Sequence, residues 1–181
     1  DCPLTSSLNL RGNQFGKSWS QPMIELDWDA AMSFCRWLTK REREAGRLPA
    51  GYEYTLPTEA QWEYASRAGT SGAYAGNLDR MGWYNSNSGG KTHAVGQKQA
   101  NAWGYHDMHG NVREWCYDWF GDYPNGSVRD PTGPGSGSSR VNRGGSWYNN
   151  ARYCRSANRS RYSPGSTNFN LGFRPALAPV R

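Results

Sequence analysis

The chain of 181 residues has no apolar run near the roughly 20 residues that span a bilayer, and its mean hydropathy is −0.91. It has no secretory leader, so it is expected to be soluble as given. Cys2 stands where a bacterial lipoprotein would carry its lipid. Asp1 before it fits that pattern poorly, and the simpler reading is an accident of where the chain begins. Close cysteine pairs are missing as well. Cys2, Cys35, Cys116 and Cys154 are scattered, which matches no zinc signature. Cys35 falls on the apolar face of a helical pattern and reads as a buried free thiol. Cys116 and Cys154 either bond or simply pack. There are 3 histidines, and His93, His106 and His109 read as loop residues rather than a metal cluster. Lysine-rich runs are absent, so the net charge of +6 reads as a solvated basic face.

Aromatics are plentiful. The chain has 9 Trp, 11 Tyr and 22 Gly. Disordered chains are poor in aromatics, so the low hydropathy points to a loop-rich globular domain with an aromatic core. Asp27 caps a first helix, and Ala31, Phe34, Cys35 and Leu38 give its apolar stripe. It runs to about Glu44, with Gly46 as the stop. Thr58 and Gln61 form a capping box for a second helix. Trp62 and Ala65 face inward there, and Gly69 closes it. Residues 70–102 read as a long loop, which is functional or pinned in a compact domain. Strand-like pieces follow at 112–120, 141–147 and 171–177, with a Gly/Ser/Pro-rich surface loop at 125–139. The expected fold class is α+β, with two helices and a small antiparallel sheet in one domain over residues 1–181. Trp115, Trp119 and Trp147 are the expected core.

Three segments carry a family resemblance. They are Leu56-Pro57-Thr58-Glu59-Ala60-Gln61-Trp62-Glu63-Tyr64-Ala65, then Gly104-Tyr105-His106-Asp107-Met108-His109-Gly110-Asn111-Val112-Arg113-Glu114-Trp115, then Arg143-Gly144-Gly145-Ser146-Trp147 answered by Leu171-Gly172-Phe173-Arg174. In this order the chain resembles the formylglycine-generating-enzyme (sulfatase-modifying-factor) family from about Leu26 to Leu177. The resemblance implies a C-type-lectin-like fold. Enzymes of that family oxidise a substrate cysteine with two copper-binding cysteines placed shortly after the Gly-Gly-Ser-Trp motif. Here that stretch holds Cys154 alone, and a copper(I) site wants paired thiolates. The expectation is therefore no copper and no enzyme, with a cysteine oxidase or another catalytic member as the alternative. The family's calcium site implies Asp107 and Glu114 carboxylates with Gly110 and Val112 carbonyls as ligands. The competing reading has both carboxylates satisfied by N–H groups or arginines. A second family calcium site falls at 77–93, where no convincing carboxylate set occurs.

Residues 148–170 hold five Asn, three Tyr, four Ser and four Arg, and no Lys, Glu, Gln, Met, Trp or Asp. Randomising the first two bases of an Asn codon, with a pyrimidine third, excludes Lys, Glu, Gln, Met and Trp. The window resembles the variable region of diversity-generating-retroelement proteins, which include bacterial surface lipoproteins of the treponemal variable-protein type. The resemblance implies variable, ligand-binding positions at Tyr148, Asn149, Asn150, Tyr153, Asn158, Ser160, Arg161, Tyr162, Ser163, Ser166, Asn168, Phe169 and Asn170. Gly165 and Thr167 are additions. Ala151, Arg152, Cys154, Arg155, Ala157 and Arg159 are scaffold. Tyr, Ser and Asn are the residues that paratopes use. The expected function is non-enzymatic ligand binding at an extracytoplasmic, bacterial cell-surface location. The expected partner is a protein or other macromolecule rather than nucleic acid, with membrane contact only through a lipid anchor.

Overall fold

The computed structural model describes residues 20–180. Cys2 lies outside them. Helix α1 (Trp28–Glu44) starts where Asp27 accepts a hydrogen bond from the Ala30 N–H at 2.8 Å. Asp29 in its first turn and Arg41 and Arg43 in its last suit the helix dipole. Trp28, Ala31, Cys35 and Thr39 form its buried face. Phe34 and Leu38, expected in that stripe, are only half-buried. Strand β1 (Tyr52–Thr55) lies against α1, where the Tyr54 N–H donates to Thr39 Oγ1 at 2.8 Å. Helix α2 (Glu59–Arg67) carries the expected Thr58/Gln61 capping box. It ends on Ala68, not Gly69, in the left-handed region at φ 45°. A short helix α3 (Leu78–Met81) interrupts the expected long loop.

The remaining strands are β2 (Arg113–Trp119), β3 (Arg140–Arg143), β4 (Ser160–Tyr162), β5 (Leu171–Phe173) and β6 (Ala176–Pro179). One sheet has the order β4-β3-β2-β5, and β1 pairs with β6 in a second. The small sheet is antiparallel at its β2–β3 and β3–β4 pairings, and β5 joins it parallel to β2. The piece expected at 171–177 is two strands, because residues 174–175 carry the chain from one sheet to the other. No helix among the described residues is long and apolar enough to cross a membrane.

β2 is the axis of the core. Successive strand side chains point to opposite faces. Trp115 accordingly joins Leu26, Trp28, Ala31, Cys35, Leu56 and Leu171, while Cys116 joins Trp62, Met108 and Val141. Trp147 is buried as expected, but Trp119 is only half-buried, with the Arg140 guanidinium 3.6 Å over its ring. Beside the second cluster sits Arg143, fully buried, its guanidinium 5.5 Å from the Trp62 ring centroid. It donates to Glu59 Oε1 at 2.9 Å, to Glu63 and to the Ser156 carbonyl at 2.6 Å. Glu59 also takes two bonds from Arg159, each 2.7 Å.

Arg143→Ala strands Glu59 and Glu63 without their central counter-ion. Losing one partner of a buried pair costs about 3–5 kcal/mol, so the denaturant midpoint is expected to fall sharply. An unchanged midpoint would show that the network contributes nothing to stability.

Candidate functional site

The window 148–170 begins where β3 ends. Gly144 and Gly145 both have positive φ, 91° and 68°. A Cβ at Gly145 would lie 2.6 Å from Cys154 Sγ and 2.8 Å from the Tyr153 carbonyl, so only glycine admits the following turn. A 3-10 turn, Ala151–Cys154, follows. Tyr74 hydroxyl donates to the Ala151 carbonyl at 2.9 Å, and the Ser156 N–H donates to the Ala73 carbonyl at 2.9 Å. The start of the window is thus pinned to the loop after α2.

Tyr148, Asn150, Arg161, Ser163 and Phe169 are exposed. Tyr153, Asn158, Ser160, Tyr162, Ser166 and Asn168 are half-buried. Tyr162 packs edge-on against Trp115 and so serves the core as well. Asn149 is half-buried; its side chain accepts from Ser146 Oγ at 2.8 Å and its carbonyl from the Asn85 N–H at 3.0 Å. Asn170 is corrected as a surface position. It is buried, its amide donates to Ser146 Oγ at 3.1 Å, and its carbonyl accepts from the Arg113 N–H at 2.8 Å. The two ends of the window meet. Tyr148, 59 % exposed, and Phe169, 39 % exposed, have ring centroids 5.8 Å apart, and each is 5.6 Å from buried Trp147.

The four candidate calcium ligands also converge. Asp107, Gly110, Val112 and Glu114 line one cavity of about 420 Å³. The segment curls tightly, with Asp107, Gly110 and Asn111 at φ 60°, 106° and 59°. Such left-handed residues cluster at functional sites. A Cβ at Gly110 would lie 2.1 Å from the Trp83 carbonyl. Glu114 accepts from Trp62 Nε1 at 2.7 Å and is gripped by Arg174, whose Nη2 donates to Oε1 at 2.8 Å. Glu114 raises the pKa of Arg174 in return. Asp107 Oδ2 accepts from the Gly96 N–H at 2.7 Å, while Oδ1 is buried with no hydrogen-bond partner. Burial pushes the Asp107 carboxyl up and the nearby Glu114 adds to this, against the Gly96 N–H. The competing reading is thus realised at Glu114, held by Trp62 and Arg174, and at one oxygen of Asp107, held by the Gly96 N–H. A buried orphan oxygen beside a second carboxylate fits a hard cation.

Cys35, Cys116 and Cys154 are free and buried, so Cys116 and Cys154 are not bonded to each other. Burial pushes the Cys154 thiol up to about 12. A single protonated thiol does not fit a two-thiolate copper centre. His109, expected as a loop residue, is fully buried beneath this turn. It accepts from the Ala75 N–H at Nε2, which leaves the proton on Nδ1 to be donated to the Cys154 carbonyl at 2.9 Å. Burial lowers its pKa and keeps it neutral. His93 stacks on Trp83 at 3.7 Å, and among the described residues no three His, Cys, Asp or Glu side chains form a metal cluster.

The family profile described as sulfatase-modifying factor enzyme 1-like domain matches residues 5–179. The formylglycine-generating enzyme of Streptomyces coelicolor is 36 % identical over 179 residues, covering 87 % of this chain and 52 % of that protein. The formylglycine-generating enzyme of Mus musculus is 33 % identical, covering 87 % and 44 %. The chain therefore spans about half the length of these curated relatives. Among solved structures, Treponema denticola variable protein 1 superposes with a TM-score of 0.82 and 32 % identity, over 91 % of this chain and 73 % of that one. The expectation of no enzyme is corrected by the first two relatives, which place the chain in a catalytic family. It rested on one short stretch after Gly145, whereas the likeness to named enzymes extends over most of the chain.

With its thiol near 12, Cys154 is about one ten-thousandth thiolate at pH 8. With Cys2 replaced by Ser, the native protein should show no thiol reactive to a disulfide reagent, and three after unfolding. Rapid labelling of Cys154 in the folded chain would refute its enclosure.

Proposed function

The chain belongs to the sulfatase-modifying factor enzyme 1-like family, and on that premise we propose that it uses the family scaffold to present a ligand-binding face built from residues 148–169. The observation that carries this reading is the exposed Tyr148–Phe169 pair, backed by buried Trp147, in a window that also leaves Asn150 exposed and Tyr153 half-exposed. Exposed aromatics on a rigid base give contact area at little entropic cost, and neighbouring Asn and Ser adapt by hydrogen bonding. An ordinary polar loop has no reason to leave both rings in water. The likeness to Treponema denticola variable protein 1 supports the finer reading that the face is diversified by a retroelement and displayed at a bacterial surface.

The same scaffold carries a second candidate site, at residues outside the window. There Asp107 and Glu114, with the Gly110 and Val112 carbonyls, would hold calcium. The ion would supply positive charge between two carboxylates and brace the curled segment. Gly110 links it to the turn that precedes the window, since its N–H donates to the Gly144 carbonyl at 2.8 Å.

Diversification is tested by sequencing the gene's 3′ end in many independent isolates. Substitutions should collect at the candidate codons and spare 151, 152, 154, 155, 157 and 159. A window no more variable than the rest of the gene rules this reading out. Calcium at about a hundred times its dissociation constant should stabilise the fold by about 2.7 kcal/mol. Thermal unfolding reads this as a rise in Tm that chelation reverses and Asp107→Asn abolishes. An equal rise in that variant removes Asp107 from the site.

A further inference from the structure

The window is basic as well as aromatic, and its charges are divided. Arg159 is spent internally on Glu59. Arg152 and Arg155 are exposed, and neither has a carboxylate partner among the described residues. Each is held in place without being neutralised. Arg152 donates to the Tyr153 hydroxyl at 2.9 Å and lies 4.8 Å over that ring. Arg155 Nε donates to the Arg152 carbonyl at 2.9 Å, so its side chain folds back along the 3-10 turn. They lie four and seven residues after Tyr148, whose ring meets Phe169. No Asp or Glu occurs between 148 and 170 to oppose them. On the edge strand β4, exposed Arg161 adds a third unopposed charge, 4.7 Å over Phe120.

We propose that this face takes an acidic protein segment, one that sets Asp or Glu carboxylates against Arg152 and Arg155 and an apolar or aromatic side chain against Tyr148 and Phe169. The inference rests on the ligand-binding reading above and names its partner class. Guanidinium groups pair with carboxylates through two parallel hydrogen bonds, and pre-ordered ones lose less entropy in doing so. Phosphate would serve the arginines equally well, but the aromatic pair favours protein. Tyr148 and Phe169 stand at 90° to each other, which is unlike the successive open ring faces on which bases stack. Arg152 and Arg155 are not among the candidate variable positions. The acidic preference therefore belongs to the scaffold, while Tyr148, Asn150, Tyr153 and Phe169 select among acidic partners.

The test pans a random-peptide display library on the intact chain at low salt. Enriched peptides should carry an excess of Asp and Glu beside an aromatic or apolar residue. Their affinity should fall about tenfold on raising salt from dilute to physiological strength. It should fall by a similar factor in the double variant Arg152→Gln, Arg155→Gln, at unchanged Tm. Peptides without acidic excess that the paired variant Tyr148→Ser, Phe169→Ser no longer binds would overturn this inference and leave the binding face standing. Peptides indifferent to both variants would overturn both readings. Oligothymidylate bound more tightly than the best peptide at equal salt would replace the acidic protein with a nucleic acid.

Discussion

Arg143 is the residue on which the rest of the molecule depends. Its guanidinium lies at the end of β3, fully buried, and reaches α2 through Glu59 and Glu63 and the window through the Ser156 carbonyl. Glu59 passes the connection on to Arg159. Helix α2, the central sheet and the middle of the candidate binding segment are thereby fixed by one cation. Such a site tolerates no half measures, because a buried charge is stable only when its counter-charges are present and well placed. Trp62 lies on the same helix face, with the Arg143 guanidinium 5.5 Å from its ring centroid, and hands its own N–H to Glu114. The polar centre thus extends from Arg159 through Glu59, Arg143 and Trp62 to Glu114 and Arg174.

That chain of contacts gives the two candidate sites a shared foundation. Glu114 belongs to the cavity around Asp107, and Arg143 leads directly into Gly144 and Gly145, where the window turns. Asn111 adds a second tie. Its carbonyl accepts from the Trp147 N–H at 2.9 Å, and its side chain bonds both backbone groups of His93. The long segment after α2, poor in regular structure, is held by such side-chain bonds instead of by a ladder.

The helices were legible because their signals are local. Asp27 and the Thr58/Gln61 box cap the helices they were expected to cap. The short strands were not, since a three-residue strand such as β4 or β5 owes its existence to its neighbour. The parallel pairing of β5 with β2 is likewise a property of the whole arrangement. At the sites, the family resemblance picked out Asp107, Gly110, Val112 and Glu114, which line one cavity, and window positions that are exposed or half-buried in every case but one. It did not foretell Asn170, whose burial depends on Ser146 and Arg113, nor Arg174, whose grip on Glu114 spans 60 residues. Composition alone made Asn170 look like its exposed neighbours. Cys154 was judged by what it lacked in sequence, and the likeness of the wider scaffold to named enzymes outweighed that local departure.

The window is moored at both ends. Asn149 fastens it to Ser146 and Asn85 near its start, Ser156 and Arg159 tie its middle to the buried network, and Asn170 and Ser146 close it at its finish. Tyr148 and Phe169 complete the circuit. A segment so tethered has a fixed contour length. Replacing its exposed side chains leaves these moorings in place, whereas changing the number of residues between them does not. Selection acting on this surface should therefore accept substitutions in great variety while rejecting insertions and deletions almost wholly, so that descendants diverge in spelling and never in length.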